Sequence, residues 1–140
     1  MQTNYALLAD AQTFYAKNGY SYIDVPWWVT RAIAESTLPP GKDTSNDYYL
    51  PLNNKVLVAS GEQSFLYLAH KGQLPKGKYQ TITPCFRFEP HDQTNRKHFM
   101  KQELTNLSPK DPEEALVQIV RHAVSFYQQY RKAPSFRAGI

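Results

Sequence analysis

A chain of 140 residues is long enough for one sizeable core, and a composition 41% hydrophobic and 20% charged excludes a disordered or collagen-like protein. Sixteen Lys and Arg against twelve Asp and Glu leave a formal charge of +4, a mild bias toward polyanions such as nucleotides or nucleic acid. The single cysteine, Cys85, excludes an internal disulfide framework and a multi-cysteine metal site. No apolar run approaches the roughly 20 residues a membrane helix needs, so no membrane partner is expected and the cytoplasm is the expected location. We expect a single domain over residues 1–132 and a C-terminal tail over 133–140, where periodicity is lost.

From Thr3 to Lys17, the residues Leu7, Ala11, Phe14 and Tyr15 form one apolar stripe at helical spacing, and Gly19 ends it. Tyr20 to Val25 is β-branched and aromatic and stops at Pro26, which predicts a short strand. Trp27 to Thr37 is expected as a second helix, closed by Pro39, Pro40 and Gly41, and Gly41 to Asp47 as a polar surface loop. Tyr48 to Leu52 and Lys55 to Ala59 flank Asn53 and Asn54 as a hairpin, with Pro51 placing its first strand at an edge. Ser60 followed by Gln63 has the spacing of a capping box, opening a helix that runs to Gly72. Two long strands are then predicted, Tyr79 to Glu89 and His98 to Leu107, joined by the polar stretch Pro90 to Lys97. Asp111, Pro112, Glu113 and Glu114 start a last helix, whose expected buried stripe is Leu116, Ile119, Val120, Ala123, Phe126, Tyr127 and Tyr130.

Strand parity sets Ile82, Phe86 and Phe88 on one face of the first long strand and Thr81, Thr83, Cys85, Arg87 and Glu89 on the other. If Phe99, Lys101 and Glu103 of the returning strand share the second face, it gathers two cations, two acids and an aromatic plate. Arg87 offers a planar fork suited to phosphate oxygens, Glu89 can accept from the exocyclic amine of a base, and Phe99 gives that base a surface to stack on. His70, His91, His98 and His122 have no metal-ligand spacing, and no metal ligand is assigned.

Phe86, Arg87, Phe88 and Glu89, a polar loop, then Phe99 with Glu103 four residues on, resemble motif 2 of class II aminoacyl-tRNA synthetases. The first helix, Gly19 and the strand ending at Val25 and Pro26 look like motif 1 of the same family. Ser60, Gly61 and Glu62 stand where the seryl and threonyl branch carries a Thr-x-Glu element. The resemblance spans about Thr3 to Leu107 and implies an α+β fold, an antiparallel sheet flanked by helices, expected on one side of it. It further implies that Arg87 contacts the ATP α-phosphate and a substrate carboxylate, Glu89 the adenine amine, Phe99 the adenine ring and Arg96 a terminal phosphate. Glu103 belongs to the same nucleotide site, and Ser60 and Glu62 would recognise a substrate amino group.

ATP is the implied cofactor, with Mg2+ whose ligands no residue identifies. A homodimer through the motif 1 segment is expected, with an adenine nucleotide, an amino acid and conceivably tRNA as partners. Motif 3, a glycine-rich strand and helix with an adenine-stacking arginine, has no match after Leu107; Arg137 and Gly139 lack its pattern. The expectation is a truncated paralogue that binds ATP or an adenylate-like ligand, its catalysis weakened or lost. One alternative is an active amino-acid adenylating ligase completed by another chain or segment. The other is a non-catalytic module for dimerisation or for tRNA or protein binding.

Overall fold

The structure, a computed structural model, describes residues 2–44, 47–50, 53–87 and 98–132. The first helix, α1 (Tyr5–Lys17), is capped by Asn4, whose side chain accepts from the Leu7 amide at 3.0 Å. Its buried residues are Ala11 and Tyr15, with Leu7 and Phe14 packed beside them, as the apolar stripe anticipates. Gly19, at φ +90, turns the chain into the strand β1 (Ser21–Tyr22), shorter than the six-residue strand expected.

The segment after Pro26 departs from expectation. Trp28–Thr30 is a strand, β2, and only Arg31–Ser36 is helical, α2. The reason is tertiary: Trp28, Val29 and Thr30 pair antiparallel with Leu57, Val56 and Lys55, and aromatic and β-branched residues suit that ladder better than a helix. The expected hairpin is present, with β3 (Tyr49–Leu50) at the edge and β4 (Lys55–Leu57) central in the order β2-β4-β3. Asn53 and Asn54 both adopt left-handed backbone, at φ 71 and 53, which asparagine tolerates better than most residues.

A third helix, α3 (Gly61–His70), leads through Gly72 (φ +71) to the long strand β5 (Gly77–Phe86), which pairs antiparallel with β6 (His98–Leu107) over their full lengths. β1 adds to β5 in parallel, giving the order β1-β5-β6, so this sheet is mixed rather than purely antiparallel. The chain then forms α4 (Pro112–Lys132), where Asp111 accepts from the amides of Glu113 and Glu114 at 3.1 and 3.2 Å, the cap anticipated.

Helices cover both faces of the long hairpin, not one. The face of Gln80 and Leu104 meets α1 and α4, where Ala11, Tyr15, Tyr20, Phe126 and Tyr130 form one core cluster. The face of Thr83 and Glu103 meets α3 at Gly61. A second cluster, Val29, Ala34, Val56, Val58 and Tyr67, lies between the small sheet and α3. On α4 the expected buried stripe is only partly correct: Ala115, Phe126 and Tyr130 are buried, whereas Leu116, Val120 and Tyr127 are exposed. The helix has apolar residues on two sides and can turn only one of them to the core.

Candidate functional site

The register of the hairpin decides which residues share a face. Thr81 lies opposite Glu103, Thr83 opposite Lys101 and Cys85 opposite Phe99. Directly paired residues project to the same side. Phe99, Lys101 and Glu103 therefore stand on the face of Thr81, Thr83 and Cys85, and Arg87, two residues beyond Cys85, reaches Phe99 across it. The Arg87 guanidinium carbon lies 5.3 Å from the centre of the Phe99 ring. Its Nε donates to the carbonyl oxygen of Ala59 at 3.3 Å, which ties the end of β5 to the residues preceding α3.

This face is not an open platform along its whole length. Thr81, Thr83 and Cys85 are fully buried, because α3 starts directly above them. A methyl group at Gly61 would lie 2.6 Å from Cγ of Glu103 and 3.0 Å from Cγ2 of Thr83, so only glycine lets the helix come this close. Among the described residues, the face opens toward a cleft at its Arg87 and Phe99 end. Further along it, Glu103 forms an ion pair with Lys101 at 2.7 Å and borders a smaller depression shared with Glu62 and Phe65.

In front of Arg87 lies a depression of about 460 Å³, edged by Ser60, Glu62 and Gln63 from the start of α3 and by Lys42 and Asp47 from the preceding loop. The structure thus brings Arg87, Ser60 and Glu62 to one cleft and sets Phe99 against Arg87. It sets Glu103 apart, beneath α3. Glu89 and Arg96 lie outside the described residues.

The expected capping box at Ser60 is not formed. The Ser60 side chain makes no cap hydrogen bond to the helix; Gln63 instead accepts from the amide of Ala59 at 2.8 Å and donates to the Thr37 hydroxyl at 3.0 Å. Gln63 thereby ties α3 to the end of α2, and the Ser60 side chain sits on the rim of the cleft rather than in a cap.

Lys42 and Asp47 were read only as loop residues. Burial pushes the Asp47 carboxyl above the usual carboxylate range, a feature that no local spacing signals. Cys85 is also shifted upward, chiefly by burial, with Lys101 and Arg87 pulling it back and Glu103 opposing them. Enclosed in this way, Cys85 packs as a small buried side chain. Among the described residues, no group of three His, Cys, Asp or Glu side chains could hold a metal ion, so no magnesium ligand is assigned.

No family model matches the chain, and no curated protein matches it by sequence. Solved structures do. The chain has the fold of the catalytic domain of class II aminoacyl-tRNA synthetases. Seryl and pyrrolysyl enzymes are among the structures it resembles. Seryl-tRNA synthetase from Pyrococcus horikoshii, solved in complex with ATP, is 21% identical with a TM-score of 0.77, over 91% of this chain and 31% of that one. Cytoplasmic serine-tRNA ligase from Naegleria fowleri, in complex with AMP, is 26% identical with a TM-score of 0.69, over 89% of this chain and 33% of that one. Pyrrolysyl-tRNA synthetase from Desulfitobacterium hafniense is 18% identical with a TM-score of 0.67, over 86% of this chain and 46% of that one. The chain therefore spans less than half the length of these structures.

Proposed function

We propose that this chain binds an adenine nucleotide, ATP or an aminoacyl-adenylate-type ligand, in the cleft in front of Arg87 and Phe99. The observation that carries the reading is the meeting of a guanidinium and a phenyl ring at the open end of the long hairpin, beside a depression of about 460 Å³. The base stacks on Phe99 and the guanidinium binds the α-phosphate in its planar fork. Arg87 now lies over the Phe99 ring, so a base seated on that ring face requires the guanidinium to swing toward the phosphate. Glu89 and Arg96 are assigned by position in the sequence to the adenine amine and a terminal phosphate. Ser60 and Glu62, on the rim of the same cleft, would hold the amino group of an amino acid. Glu103, paired with Lys101, supports the floor from beneath α3 rather than reaching the nucleotide.

Catalysis is the second half of the reading. Adenylation joins a carboxylate oxygen to the α-phosphorus while pyrophosphate leaves, and its rate depends on neutralising and positioning the triphosphate. Of the described residues, Arg87 and Lys42 bring positive charge to this cleft, and we read adenylation by these 140 residues as weakened or lost.

Titration with ATP and with AMP tests the binding. Arg87→Ala should weaken ATP affinity by roughly tenfold to a hundredfold, the worth of a charge-assisted hydrogen bond. Unchanged affinity would remove Arg87 from the site. Amino-acid-dependent pyrophosphate exchange at an ordinary synthetase rate would replace the weakened reading with an active ligase.

A further inference from the structure

The cleft in front of Arg87 holds more acid than one amino group requires. Among the described residues its charged rim sets Asp43, Asp47 and Glu62 against Lys42 and Arg87. With Arg87 given to the α-phosphate and Glu62 to the α-ammonium group of an amino acid, Asp43, Asp47 and Lys42 remain, an excess of negative charge. Asp43 has an interaction of its own within the chain. Asp47 differs from it, because its Oδ2 is enclosed and accepts no hydrogen bond. A carboxylate oxygen left in that state is costly until a donor or an opposite charge meets it.

The chain's own contacts fix this carboxyl at the cleft. The Asp47 amide donates to the Thr44 carbonyl at 3.0 Å, and the Tyr49 hydroxyl donates to the same carbonyl at 2.9 Å. The Arg31 guanidinium carbon lies 4.5 Å from the centre of the Tyr49 ring, which anchors that turn to the start of α2. No cation of the chain answers the Asp47 charge: its pKa is raised by burial, with no lowering contribution from Arg31, Lys42 or Arg87. Nor are the described acids of the rim grouped to hold a metal ion.

We infer that Asp47 selects the amino acid: the cleft takes an aminoacyl-adenylate-type ligand whose side chain ends in an ammonium or guanidinium group, and Asp47 receives that group. The inference rests on the adenylate reading of the same cleft. A half-turn of the carboxyl exchanges its two oxygens, which presents the enclosed one to the ligand. An apolar side chain would leave the carboxylate enclosed and unpaired. A hydroxyl would supply a hydrogen bond without neutralising the charge, and pairing with a cation is roughly twice as strong as a neutral bond.

Calorimetric titration with non-hydrolysable aminoacyl-sulfamoyl adenosines carrying lysine, norleucine, serine or ε-N-acetyl-lysine tests this. The lysyl analogue should bind roughly tenfold to a hundredfold more tightly than the norleucyl one, which has a similar side chain without the charge. The acetyl-lysyl analogue, its charge removed, should fall back to the norleucyl level. Asp47→Asn should erase the lysyl preference; should that variant misfold, the acetyl-lysyl comparison on the parent protein decides. Equal binding of the lysyl and norleucyl analogues, tighter binding of the seryl one, or a preference that survives Asp47→Asn overturns the inference. So does a variant that weakens every analogue alike, since Asp47 would then act on the loop and not on the ligand. Arg87→Ala separates the two levels of the argument. Analogues that depend on Arg87 but show no lysyl preference sink the side-chain assignment alone. Analogues that do not bind, or bind regardless of Arg87, remove the adenylate reading and this inference with it.

Discussion

Tyr20 and His122 show how single side chains link the two ends of the chain. The Tyr20 hydroxyl and Nδ1 of His122 share a hydrogen bond of 2.9 Å, and the two rings meet edge to face. Lys78 lies over the Tyr20 ring and donates to the Asn18 carbonyl. Burial, and then the charge of Lys78, hold the His122 pKa below its ordinary value near 6.5. Below about pH 6.5 the unfolded chain takes up a proton that the folded ring resists, so stability falls as the pH drops through that range. Melting temperatures at pH 7.5 and 5.5 should show this loss, and His122→Gln should make it smaller. An equal loss in the variant would assign the pH dependence to other groups. None of this was legible from His122 in the sequence, where it stood as a lone histidine. Arg87 and Phe99 were legible, because strand parity fixes a face once the register is known. The ring contact between them depends on the cross-strand pairing of Cys85 with Phe99.

Among the elements, those that build their own pattern were visible in advance. α1 and α4 declare themselves by spacing and end signals, α3 by spacing alone since its expected capping box is not formed, and β5 with β6 by length. β2 was hidden, since its strand character comes from a partner some 27 residues away in sequence, Lys55–Leu57. Overlooked as well was how closely α3 approaches the hairpin. That closeness rests on Gly61, and Gly61→Ala tests it. The added methyl would press on Glu103 and Thr83, near the backbone end of both side chains. Overpacking of this kind costs about 1–3 kcal/mol, against a helix-propensity gain of up to about 1 kcal/mol. Denaturant titration should therefore show a net loss of about 1–2 kcal/mol; a variant as stable as the parent would mean that α3 shifts without cost. Because Ser60 and Glu62 ride on the same turn, the variant should also bind nucleotide less tightly.

For the molecule as a whole, the fold class followed from the motif 2 and motif 1 resemblances, and the structural matches to seryl and pyrrolysyl enzymes carry it over most of the chain. Composition and charge only bounded the class of partner. The three-dimensional arrangement added a cleft assembled from three separate stretches, the loop at Lys42 and Asp47, the start of α3 and the end of β5. Residues so far apart in sequence have no common spacing to reveal them.

The solitary thiol of Cys85 sits under the first turn of α3, fully enclosed. An alkylating reagent can reach it only when that helix lifts away, which makes its labelling rate a native clock for local opening, with no engineered probe required. In the intact protein the reaction should run far slower than in urea. Saturating ATP should slow it further if the ligand bridges Arg87 and the start of α3; an unaltered rate would mean that the ligand leaves this junction as free to breathe as before.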